Sequence, residues 1–149
     1  MSMPYARENE FQRQRLIDLT ARLTAEDFSR PMPNGWTVAT KLAHLAFWDL
    51  YYATLVEGWE RTGFAASPAN VDAINEAVRT LSRAIAAESV VHLVRTAAES
   101  IDRKVEMLTP ELASAIETGG YSRILLRALH RRDHLDQIEK TLGSGLESV

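Results

Sequence analysis

Cysteine is missing altogether from the 149 residues. Its absence excludes disulfides, thiolate metal ligands and a cysteine nucleophile, so any metal must take nitrogen or oxygen donors. Basic charge is not in excess either: 17 Lys and Arg stand against 20 Asp and Glu, a net charge of −3, with an isoelectric point near 5.8. Nothing there would hold a phosphate backbone, which argues against nucleic acid as a partner. No uninterrupted apolar run reaches the ~18 residues of a membrane span, and the opening MSMPYARENE has no apolar stretch of the export-signal kind. The expectation is a cytoplasmic protein that does not engage membranes. Strand signals are missing as well. There is no alternating β-branched run and no hairpin dipeptide between apolar runs, and neither a repeat nor a low-complexity tract occurs.

What remains is an ordinary globular balance, 46% hydrophobic and 25% charged, in a length that suits one domain over residues 1–149. Helical periodicity organises it. A first helix is expected from about Ala6 to Leu23, with Phe11, Leu16, Leu19 and Leu23 as its apolar stripe. Thr24 to Asp27 has the form of a capping box opening a short turn, and Pro31, Pro33, Asn34 and Gly35 break the chain. Thr37 is placed to cap a second helix running to about Glu60. One face of it holds Val38, Leu42, Leu45, Tyr52 and Trp59, and another holds His44 with aromatics. A third helix, about Asn70 to Ile85, has a narrow seam of Val71, Ile74, Val78, Leu81 and Ile85. After a bend at Ala86–Glu88, Val91, Val94, Ala98, Ile101, Val105 and Leu108 mark a long helix. Thr109 and Pro110 start a short one, Gly119 and Gly120 end it, and a last helix is expected from about Ser122 to Leu142. The class is all-α. The expected architecture is a four-helix bundle of the first, second, long and last helices, with one or two extra short connecting helices.

His130 and His134 lie in the last of these. Four residues turn a helix by only ~40° and advance it ~6 Å, so both imidazoles leave one face a turn apart, able to close on one divalent ion. A solvated polar face reads the pair equally simply, since Arg131, Arg132, Asp133 and Asp136 surround it. His44 is the best candidate for a third ligand. Three imidazoles with open positions make a catalytic type of metal site. His92 sits beside core valines and reads as a structural or surface residue. Trp48, Phe47 and Tyr51 stand near His44 and could wall a pocket or simply pack. Arg127 and Gln137 share the ligand face. The arginine could hold a carboxylate or make a surface ion pair, and the glutamine could bond a ligand imidazole or a metal-bound water. Asp49 or Asp133 could orient a ligand.

Gly35-Trp36-Thr37-Val38, continuing to Leu42-Ala43-His44-Leu45-Ala46 and Trp48-Asp49, resembles the N-terminal motif of the DinB/YfiT-like family. His130-x-x-x-His134-x-x-Gln137-Ile138 resembles its C-terminal motif. Val71 to Glu76 and Leu108 to Leu112 match between them in order and spacing, so the likeness runs from about Gln12 to Lys140. It implies a bundle of up-down-down-up topology, often a homodimer. It also implies one divalent transition metal, nickel or zinc, on His44, His130 and His134, with water completing the shell. Relatives include enzymes that use a low-molecular-weight thiol for maleylpyruvate isomerisation or S-transfer to electrophiles. The form found here is most similar to a branch that protects against reactive natural products. In one departure, Thr40 stands where relatives often carry an acidic residue, so the reciprocal bond of the Thr37 cap is expected to be missing. The resemblance implies a metal-dependent enzyme in which a thiol or water is activated against an electrophilic small molecule. The competing reading is a sequestration or resistance protein with a structural metal. Since the chain has no thiol, mycothiol, bacillithiol or glutathione would have to bring one.

Overall fold

The computed structural model describes residues 5–147, of which 144–147 are described by backbone only. Among the described residues eight α-helices follow one another: α1 (Ala6–Arg22), α2 (Ala25–Phe28), α3 (Val38–Thr62), α4 (Val71–Ser82), α5 (Ala87–Glu106), α6 (Pro110–Thr118), α7 (Ser122–Leu125) and α8 (Ala128–Glu147). Among the described residues there is no strand, only an isolated bridge between Pro31 and Thr37. The protein is an all-α bundle. The four long helices α1, α3, α5 and α8 surround the core, while α4 leans on α3 from outside. No described helix is long and apolar enough to cross a membrane.

Local chemistry explains the helix ends. Thr24 caps α2 in a full capping box with Asp27. Asn34, at φ 64°, and Gly35, at φ 81°, turn the chain back through a left-handed conformation that asparagine and glycine adopt most easily. Thr37 then caps α3, and here the expectation of a missing bond is overturned. The Thr37 amide donates to Thr40 Oγ1 at 2.8 Å, and the Thr40 amide donates to Thr37 Oγ1 at 3.1 Å. A hydroxyl accepts a hydrogen bond as a carboxylate would, so the box closes without the acid.

Other boundaries also move. Phe11 is exposed, and Asn9, Leu16, Leu19 and Thr20 form the inner face of α1. In α5 Val90, not Val91, is buried, with Val94, Ala97, Ala98, Ile101 and Val105. The α4 seam is only partly covered: Val78 is buried, but Val71 and Leu81 lie open, because this helix has only α3 to pack against along most of its length.

The last helix is not continuous. Leu126, at φ −111° and ψ 75°, separates α7 from α8, whereas periodicity had carried one helix from Ser122. Asn9 holds the break: its Nδ2 donates to the Leu125 carbonyl and its Oδ1 accepts from the Ala128 amide, both at 2.9 Å. The two backbone groups freed by the kink are thus satisfied inside the core, as buried polar groups require. Beyond it, α8 runs past Gly143 to Glu147 rather than stopping at Leu142.

Candidate metal centre

The kink and the long α3 together position three rings. His44 stands on α3, and His130 and His134 stand one turn apart on the first half of α8. His44 Nε2 lies 3.1 Å from Nε2 of both His130 and His134. These three side chains are the group that could hold a metal ion among the described residues, with ligand atoms all within 4.8 Å of one another. Two nitrogens bound at ~2.0–2.1 Å to one tetrahedral ion would stand ~3.3 Å apart, so this spacing fits a shared ion. Trp36 meets His44 edge to face at 5.4 Å.

All three rings are held neutral. Burial pushes the His44 pKa down to about 3, helped by His134 and by the charges of Lys41 and Arg127. Burial likewise lowers His130, with Arg127 next in effect, and lowers His134 despite the bond from Gln137. Neutral imidazole is the form that ligates metal.

The rings open onto a cavity of about 510 Å³, within the usual range for small-molecule sites. Trp36, Lys41, Trp48, Tyr52 and Asn75 are among its walls. Trp48 Nε1 donates to Asn75 Oδ1 at 2.8 Å, tying α4 to α3 at the rim. Lys41 lays its ammonium over the Trp36 ring at 4.4 Å.

Two expected wall residues face elsewhere. Tyr51 lines a separate surface depression, and Phe47 lines that depression and an apolar hollow between α3, α4 and α5. At ~100° per residue, Lys41, Trp48 and Tyr52 stand ~40–80° to one side of His44, whereas Tyr51 and Phe47 stand ~20–60° to the other. Only the fold decides which flank is hollow, so Tyr52 takes the place expected for Tyr51. Asn75 and Trp36 come from other elements, and no periodicity linked them to His44.

On the exposed side Gln137 Oε1 accepts from His134 Nδ1 at 2.9 Å. Behind the rings lies a set of buried charges. Arg127 is not at the surface as an exposed ion pair would be. It is 2% exposed, its Nε donates to Asp49 Oδ1 at 2.8 Å, and its Nη2 donates to His130 Nδ1 at 2.9 Å. Asp49 therefore acts on His130 through Arg127, while Asp133 sits outside, paired with Arg132. Arg131, fully buried, bridges Asp49 and Asp102. Burial alone would push its pKa down, but the two carboxylates outweigh that and hold it above the ordinary value. His92 is exposed and outside the cluster.

Residues 11–132 match the family model described as the mycothiol maleylpyruvate isomerase N-terminal domain. The match takes in His44 and His130 and stops short of His134 and Gln137. No curated protein and no solved structure matches the chain.

Proposed function

The chain belongs to the mycothiol maleylpyruvate isomerase N-terminal domain family, a DinB/YfiT-like group, and from that premise we propose that it is a metal-dependent enzyme acting on an electrophilic small molecule. The observation that carries this is the convergence of three imidazoles in the wall of a cavity, with His44 Nε2 3.1 Å from Nε2 of both His130 and His134. Nickel or zinc, bound there, would supply a Lewis acid that lowers the pKa of a thiol or a water. Mycothiol, named in the family description, is the first thiol to test, since the chain has none of its own.

The protein's own groups do the rest. Trp48 and Tyr52 offer apolar wall against which a substrate can lie. Lys41, Arg79, Arg123 and Arg127 outnumber Asp72 and Glu76 in the cavity lining, and the net positive charge favours an anionic group on substrate or thiol. Burial lowers the Lys41 pKa, so neutralising that charge with a bound anion is favourable. Gln137 keeps the His134 ring oriented through Nδ1.

The test is metal content by mass spectrometry on protein purified without a histidine tag, beside His130→Ala/His134→Ala. Stoichiometric nickel or zinc in the parent and none in the variant is expected. Equal trace metal in both would sink the reading. Electrophiles are then screened with and without mycothiol: turnover supports an enzyme, while metal without turnover favours sequestration. The same reading carries an up-down-down-up helix order, a homodimer and a cytoplasmic setting. Light scattering that gives a monomer would remove the dimer.

A further inference from the structure

We infer that Arg127 competes with the metal for His130, making His130 the yielding corner of the three-histidine site. The inference rests on the metal reading above and concerns how that site is regulated. A guanidinium carries only N–H donors. With Nη2 at 2.9 Å from His130 Nδ1, Nδ1 must present its lone pair. A neutral imidazole has one N–H, so the His130 proton sits on Nε2, the atom that faces His44.

His134 is arranged the opposite way. Gln137 Oε1, 2.9 Å from its Nδ1, accepts a proton there and leaves the Nε2 lone pair free. Metal-bound histidines ordinarily donate the distal N–H in this way. Two rings one turn apart on one helix are therefore held in different tautomers, one ready for a metal and one not.

Three imidazoles this close cannot satisfy one another by hydrogen bonds alone. His44 Nε2 is 3.1 Å from both partners. If it accepts from His130, it points a lone pair at the lone pair of His134. If it donates to His134, its proton meets that of His130. His44 Nδ1 is buried without a hydrogen-bond partner. An ion on His130 Nε2 has to displace the proton there: moved to Nδ1 it meets Arg127, which then has to withdraw, and lost to solvent it would leave an imidazolate, which is uphill at neutral pH. Arg127 is not free to drift, because Asp49 holds its Nε at 2.8 Å and both side chains are 2% exposed. Full three-ligand binding therefore breaks a charge-assisted hydrogen bond, and His130 is the ligand that most readily leaves to open a position.

Two measurements test this. Long-range ¹H–¹⁵N correlation on metal-free protein above pH 7 reads each tautomer directly, with signals assigned by single substitutions. The expected result is His130 protonated on Nε2 and His134 on Nδ1. Protonation of His130 on Nδ1 would overturn the inference. Zinc affinity by chelator competition then compares the parent with Asp49→Asn/Arg127→Met, a pair chosen because Arg127→Met alone leaves the buried Asp49 carboxylate only the longer contact to Arg131, at 3.4 Å. At least tenfold tighter zinc in the double variant is expected, a gain that mere loss of packing would not give. Tight but equal or weaker binding in the variant overturns the inference and leaves the proposed function standing. Zinc held by neither protein removes the metal reading, and this inference with it.

Discussion

The middle of the bundle and its two ends are built on different principles. At one end Leu16, Leu19, Leu42, Leu45, Leu135 and Ile138 pack with α5 into an apolar cluster. At the other, Val56, Trp59, Ile101, Ile116, Ile124 and Leu125 form a second. Asp49 falls between the two sets along α3, Asp102 follows Ile101 at the start of the second set along α5, and Arg127, Arg131 and Asn9 join them, all buried. The ends are held by burial, which is non-directional and tolerates exchange of similar shapes. The middle is held by directional bonds between full charges. Its last link, from Arg127, ends on His130, one of the three converging rings. Such a layer adds little net stability, but it fixes side chains where a site needs them fixed.

The sharpest way to break the contrast is Asp102→Ala. Asp102 accepts from Arg13 at 2.7 Å and from Arg131 at 2.9 and 2.8 Å. Its removal leaves a buried guanidinium short of partners, at a cost of about 3–5 kcal/mol. Urea unfolding should show a midpoint shift of that size with the slope unchanged. A loss under 1 kcal/mol would mean that water reaches the layer and that the two regions do not differ as described.

The same contrast governs what could be read from the residues alone. The apolar ends were legible because Leu42, Leu45, Val94, Ile101 and Val105 recur with helical spacing, and caps such as Thr24, Thr37 and Thr109 announce themselves. The i, i+4 histidines and His44 were legible as ligand types. The charged middle was legible only in Arg127 and Asp49, as candidates near the ligands. Arg131 sits among charged neighbours and reads as solvated face, since a charge is buried only when a distant partner is present. Arg13 and Asp102 are 89 residues apart, and no local pattern reports such a pairing. The kink at Leu126 escaped for the same reason: it depends on Asn9, 116 residues away from Leu125.

Acid should act through the middle and spare the ends. In the metal-free protein burial depresses all three imidazole pKa values, that of His44 to about 3. The unfolded chain takes up these protons near pH 6.5 and the native state does not. Stability is then fully present above pH 6.5 and falls with decreasing pH, through the window that closes near 3 for His44. His44 alone contributes a loss of about 1.4 kcal/mol by pH 5.5. Denaturation series from pH 8 to 5 should show this slope, and His44→Gln should reduce it by about one proton. A profile flat across that range would place the rings in water.

Ile138→Val probes the ends and has the smallest expected effect. Ile138 is fully buried in the cluster with Leu16, Leu42 and Leu135, and it lies one residue beyond Gln137, which holds His134. Loss of one methyl there should cost about 1 kcal/mol, the transfer and cavity terms for a single group. Because burial carries no direction, the metal site should not notice: bound metal and the His134 tautomer should match the parent while the unfolding midpoint drops. If metal affinity fell along with stability, the position of His134 would depend on packing in the apolar end as well as on Gln137. The division between a layer that orients and layers that merely hold would then have to be redrawn along α8.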